Sequence, residues 1–212
     1  MEPKPAVMER RGCAQGVNRG ARWLARHWLA LLNLFWSIYV GLPVLAPVLM
    51  DVGWTGPAGA IYLLYRPACH QRPERSFFID GPKAAYSRPE LAAAGIDVDP
   101  LARAIGNATI GWKMAFCERD TAMYGATLAT GLVYGLLRKR LRRMRRMPFR
   151  IYLLFLIPIG VDGTLQLIGL YESSWLARSL TGALFGVGSA LFAYPYLDDS
   201  FGDPHRVGPE QR

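Results

Sequence analysis

From Ile151 to Leu197 the chain reads IYLLFLIPIGVDGTLQLIGLY-ESS-WLARSLTGALFGVGSALFAYPYL. Each half is an apolar run of about 20 residues, the length of helix needed to cross a hydrocarbon core. The first half carries one charge, Asp162, and the second one charge, Arg178. Only Glu172, Ser173 and Ser174 separate them. A connection that short makes the two helices antiparallel neighbours, so the chain reads as an all-α integral membrane bundle. Gly182 and Gly186 are spaced as helices need for close packing.

Two further runs extend the pattern. Residues 28–50 are apolar but interrupted by Pro43 and Pro47, and residues 121–137 are short but free of charge. The expected spans are therefore 28–50, 121–137, 151–171 and 175–197. Residues 54–65 are too few to cross and open on Gly56 and Pro57, so they read as an interfacial or re-entrant helix. The first run is too long for a signal peptide and no small-x-small cleavage site follows it, so it reads as a retained span. Mean hydropathy is only +0.12 because apolar blocks alternate with strongly polar ones.

The net charge of +9 is unevenly distributed. The first 27 residues hold six basic and two acidic side chains, residues 138–150 hold eight basic and none acidic, and residues 51–120 hold eight of each. Basic segments stay on the cytoplasmic side. Both termini and the 138–150 loop are thus expected inside a prokaryotic cytoplasmic membrane, with 51–120 outside. The basic cluster lacks interleaved aromatics and lies between two spans, which argues against nucleic acid. Residues 1–22, rich in Gly and Arg without periodicity, read as flexible, and 198–212 as a loose polar tail. Within 51–120, Ser87 to Gly95 reads as a short helix. Asp99 and Pro100 read as the start of another, running towards Gly106, Gly111 or Cys117.

The outer segment contains the run Arg66-Pro-Ala-Cys-His-Gln-Arg-Pro-Glu-Arg-Ser76, with Cys69, one of three cysteines, and His70, one of three histidines. Thiol, imidazole, carboxylate and guanidinium groups beside a bilayer usually persist because they pair, bind or react. Helix geometry gives them neighbours at the same depth. Asp162 and Gln166 are one turn apart in the third span, and Arg178 lies in the first turn of the fourth. Cys117, Asp120 and Tyr124 share a face at the outer end of the second, with Arg119 beside them. The candidate site is therefore Cys69, His70, Glu74, Arg75, Cys117, Arg119, Asp120, Asp162, Gln166 and Arg178. The simplest pairing joins Asp162 or Glu172 to Arg178 or Arg75. Cys69, His70 and Cys117, with the Asp120 carboxylate, are ligand types that suit zinc or iron, although adjacent Cys and His rarely share an ion. A structural Cys69–Cys117 disulfide is the alternative. There is no CxxC, HExxH, P-loop, dinucleotide fingerprint or GxSxG.

Four blocks of this chain resemble a family of prokaryotic multispanning membrane proteins known as domain of unknown function 2085. They are Cys69-His70-Gln71-Arg72-Pro73-Glu74-Arg75-Ser76-Phe77, Cys117 to Gly125, Asp162-Gly163-Thr164-Leu165-Gln166, and Arg178-Ser179-Leu180-Thr181-Gly182 with Gly186. Asp120 stands where the family pattern has a second cysteine, Ala122 and Ala126 where it has glycine, and 82–108 resembles an insertion. The resemblance implies four or five spans with a polar outer cluster and implies no reaction.

Three functions compete at this stage. One is a membrane enzyme or metal-binding protein whose outer site takes an ion or an anionic lipid-like ligand. A second is an accessory subunit docking other membrane proteins through the faces of Gly131/Gly135 and Gly182/Gly186. A transporter ranks below both, because four spans with one mid-span charge and no repeat make a poor pathway.

Overall fold

A computed structural model describes residues 5–99, 103–141 and 146–201. In chain order the elements are α1 (Pro5–Asp51), α2 (Thr55–Tyr65), β1 (Phe78–Ile79), α3 (Arg88–Ala93), β2 (Gly106–Asn107), β3 (Gly111–Lys113), α4 (Glu118–Leu141), α5 (Phe149–Leu167) and α6 (Trp175–Phe201). A 3-10 turn, Pro73–Arg75, precedes β1. Among the described residues three helices are long and apolar enough to cross a membrane: 22–51 of α1, α5 and α6. Their outward faces carry large apolar side chains such as Ile38, Leu154, Ile157 and Leu180, each more than half exposed.

The expected second span lies within α4, which falls short of that apolarity. Its ends carry Glu118, Arg119 and Asp120 on one side and Arg138, Lys139 and Arg140 on the other. Helix α1 also reaches back to Pro5, so most of the segment expected to be flexible is helical. At the far end α6 continues through residue 201, and Asp198, expected in a loose tail, is buried. It accepts hydrogen bonds from Tyr134 Oη at 2.9 Å and Arg138 Nε at 2.9 Å. Residues 202–212 and 142–145 lie outside the described residues.

The prolines of α1 do not break it. A proline lacks the N–H that would bond the carbonyl four residues earlier, so Pro43 frees Tyr39 and Pro47 frees Pro43. Both freed carbonyls are taken by other elements. Tyr65 Oη donates to the Tyr39 carbonyl at 2.9 Å, and the Ala115 N–H donates to the Pro43 carbonyl at 3.2 Å. The two prolines thereby dock α2 and the approach to α4 onto α1. Tyr65→Phe is expected to cost about 1–2 kcal/mol by leaving a carbonyl unpaired. Adding Pro43→Ala, which returns the helix N–H to that carbonyl, is expected to recover part of the loss in thermal melts of the purified protein.

Helices α4 and α6 meet at glycines. A side chain at Gly182 would lie 2.6 Å from the Arg119 carbonyl oxygen, and one at Gly186 would collide with the Met123 carbonyl. Gly131 is filled in the same way by Asn33 and Tyr194. These faces, expected to dock other subunits, are occupied within the bundle. At the opposite end Trp28, Leu29, Tyr134, Ala190 and Tyr194 form a buried cluster.

Between α2 and α4 lies a small sheet-containing unit. Strands β1, β3 and β2 form an antiparallel sheet with β3 central. Where a helix was expected to run from Asp99 towards Cys117, residues 106–107 and 111–113 are strands, and residues 100–102 lie outside the described residues. Gly106 and Gly111 have φ of +130° and +83°, conformations closed to a helix, and the backbone of Ile79 lies where a Gly111 side chain would be. The expected short helix at Ser87 is present as α3. The Glu90 carboxylate accepts the Ser87 N–H at 2.8 Å and pairs with Lys83 at 2.5 Å. Those contacts hold its pKa down to about 2.

Candidate functional site

The first turn of α4 organises the polar residues. Successive positions on a helix point about 100° apart, so Cys117 and Asp120 face one way while Glu118 and Arg119 face α5 and α6. Most of the ten residues grouped by depth fall accordingly into two clusters that share this turn, and His70 lies outside both.

The thiol cluster comprises Cys69, Cys117 and Asp120, whose ligand atoms all lie within 4.8 Å of one another. Cys69 is placed by the end of α2, where its N–H bonds the Tyr65 carbonyl at 3.0 Å. The turn that follows is pinned by Gln71, which is buried, has φ of +54°, and donates to the Tyr62 carbonyl at 2.7 Å. Cys117 precedes α4 as its cap, and its carbonyl accepts the Thr121 N–H at 2.9 Å. Both sulfurs accept backbone hydrogen bonds: Cys69 Sγ from Cys117 N–H at 3.2 Å, and Cys117 Sγ from Asp120 N–H at 3.4 Å. The thiols are free. The contact with Cys69, then burial, pushes the Cys117 pKa well up. Tyr39, Tyr65, Phe116 and Tyr124 wall the cluster with ring contacts of 5.0–5.5 Å.

His70 is exposed and stands apart from this group. The positive φ of Gln71 and the turn around it leave the imidazole on the surface while Cys69 points inward. Of the expected ligand types from Cys69, His70, Cys117 and Asp120, the structure brings together Cys69, Cys117 and Asp120, and not His70.

The second cluster is a set of ion pairs. Asp162, buried in α5, is bound by Arg119, Tyr171 and, at 2.7 Å, Ser173 Oγ. Arg178 donates to Glu118 at 2.7 Å and to the Ser173 carbonyl, with both side chains at least 94% buried. Glu74 is paired with Arg72 at 2.6 Å and Arg88 at 3.2 Å. These partners differ from the expected pairing of Asp162 or Glu172 with Arg178 or Arg75. The reason is geometric: with Gly182 and Gly186 seated on α4, the first turn of α4 reaches both acidic and basic partners first. Arg75 lies near Glu74, Glu172, Arg72 and Arg178, and burial with the two arginines lowers its pKa. Gln166 Nε2 is buried with no hydrogen-bond partner among the described residues.

A cleft of about 460 Å³ opens beside these pairs, lined by Glu74, Arg88, Glu90, Glu118, Glu172 and Arg178 among others. Carboxylates outnumber guanidinia in its wall.

Sequence reasoning passed over Glu118, Lys113, Arg72, Arg88 and Ser173. Glu118 lay inside a quoted motif block and in a helix's first turn, which was signal enough. Lys113 is the one charged residue between Arg103 and Glu118, in an otherwise mostly apolar stretch.

Part of the sequence that builds both clusters carries similarity to other proteins. Residues 108–192 match the family described as Predicted membrane protein (DUF2085). The DUF2085 match thus takes in the first turn of α4 with Cys117 and Asp120, all of α5, and the glycines of α6. It starts after the Arg66–Ser76 run. A wider match reaches across it: the chain is 29% identical over 178 residues to the uncharacterized protein MJ1492 of Methanocaldococcus jannaschii, covering 81% of this chain and 93% of that one. No solved structure matches.

Proposed function

We propose that this membrane protein holds a transition-metal ion, zinc or iron, between Cys69, Cys117 and Asp120 at the extracytoplasmic mouth of its bundle. The observation that carries the reading is the convergence of two cysteines and a carboxylate, 48 and 51 residues apart in sequence from Cys69, to within 4.8 Å. A tetrahedral zinc with sulfur ligands at about 2.3 Å spaces them about 3.7 Å apart, so a side-chain contraction of about 1 Å completes the site. A backbone N–H already donates to each sulfur, and the N-terminus of α4 lies at Cys117, so negative charge on metal-bound sulfur would find partners in place. Three protein ligands leave the fourth position to water or substrate, the pattern of sites that act as Lewis acids rather than structural clips.

The charge asymmetry supports the orientation: 51–120 is balanced and faces out, while the basic 138–150 loop and both termini lie in the cytoplasm. α4 serves as the fourth span, its charged ends at the two interfaces, and α2 lies in the outer interface. A prokaryotic inner membrane fits this arrangement. The ion-pair cluster braces the site. An anionic lipid-like ligand is less well supported, because Arg72, Arg88, Arg119 and Arg178 already engage carboxylates.

Elemental analysis of the detergent-purified full chain, loaded with zinc and desalted, tests the reading. About one equivalent is expected, kept in Cys13→Ala and lost in Cys69→Ala. No stoichiometric metal, with a Cys69–Cys117 disulfide on non-reducing peptide mapping, would overturn it in favour of a stapled accessory subunit.

A further inference from the structure

Lys113 is fully buried, at 0% exposure, and its Nζ has no hydrogen-bond partner among the described residues. Its place is fixed from several sides. It pairs with Phe78 across the sheet, its N–H donates to the Ile105 carbonyl at 2.9 Å, and its carbonyl accepts Tyr62 Oη at 2.5 Å. The ammonium lies 5.2 Å from the centroid of the Tyr62 ring. Tyr62 is packed in the same buried cluster as Cys69, with Cys117 against it.

A buried ammonium without a counter-ion is costly, and one ring face offsets only part of the cost. The ionisable groups acting on it are Cys69, which favours its charge, and Arg66 and Arg103, which oppose it. Among the described residues no carboxylate acts on it, and the two guanidinia repel it, so the ammonium is left facing the cluster that holds Cys69 with one ring as its partner.

We propose that Lys113 supplies the counter-charge for an anionic metal–thiolate centre at Cys69, Cys117 and Asp120. This rests on the metal reading. Two thiolates and a carboxylate carry three negative charges, and a divalent ion cancels two of them. The remaining negative charge, enclosed by aromatic rings, matches the ammonium of Lys113. It acts as a positioning residue: it touches no ligand position in the metal's own shell and works through the charge on Cys69.

The inference makes the two states respond in opposite directions. Lys113→Met removes an unpaired charge from the metal-free protein and the counter-ion from the loaded one. In the full chain, with Co(II) as the probe followed by thiolate charge-transfer absorption, Lys113→Met is expected to weaken binding about tenfold or more. The same variant is expected to raise the melting temperature of the metal-free protein. Lys113→Gln, neutral but polar, is expected to weaken binding to a similar degree. Equal Co(II) affinity in wild type and both variants would overturn the counter-charge role while leaving the metal site standing. Failure of both variants to fold metal-free would overturn it too, since the charge would then be supporting the empty state. No Co(II) binding by wild type would instead remove the metal reading itself.

Discussion

Cys117→Ser is expected to abolish stoichiometric metal binding while leaving the protein folded. Cys117 has two separable roles. Its sulfur is one of three converging ligand atoms, and the residue caps α4 by accepting the Asp120 N–H. Serine is a good cap, so the helix keeps its start, and stability is expected to stay within about 1 kcal/mol of wild type. A neutral hydroxyl is a poor substitute for a thiolate on zinc or iron. Loss of a direct ligand exceeds the 10–100-fold cost typical of a supporting residue, so affinity is expected to fall at least about a hundredfold. Cys117→Ala should lose the metal and also part of the cap. Asp120→Cys tests the same logic in reverse: it creates a three-thiolate set, as in the family pattern, and should tighten zinc binding. Competition titration with a chromogenic chelator reads all three.

Glu118→Ala and Arg178→Ala are each expected to destabilise the bundle by about 3–5 kcal/mol. The two side chains are 2% and 6% exposed, so removing either leaves an uncompensated charge in a site with little water. Arg178 additionally holds the Ser173 carbonyl, and Ser173 in turn holds Asp162, so the loss is expected to spread to the turn between α5 and α6. The double replacement Glu118→Ala with Arg178→Ala removes both charges and is expected to cost far less than the sum of the single changes. Thermal unfolding of the four proteins in one detergent gives the coupling energy directly. Additive losses would mean the pair is not an interacting unit.

The apolar helices were legible because length and hydropathy dictate them. Ile151 to Leu197 predicts the α5–α6 pair with boundaries displaced by only a few residues. The depth argument also brought Cys117 and Asp120 to one face, where the structure keeps them. What could not be read was helix rotation. Whether Asp162 meets Arg119 or Arg178 depends on how Gly182 and Gly186 seat against the α4 backbone, a contact between positions about 60 residues apart. The sheet was hidden for a different reason. Strands of two or three residues carry too little alternation to register, and the glycines that end a helix there also suit a helix terminus. The prolines of α1 read as interruptions, yet each frees a carbonyl that another element uses. His70 was misplaced because adjacency in sequence to Cys69 says nothing about the reversal at Gln71.

X-ray absorption at the zinc edge of the loaded full-length protein tests the central claim most directly. Two sulfur scatterers at about 2.3 Å, completed by oxygen or nitrogen, are predicted. A shell of oxygen and nitrogen alone, or one unchanged by Cys69→Ala, would contradict a metal centre built on Cys69, Cys117 and Asp120.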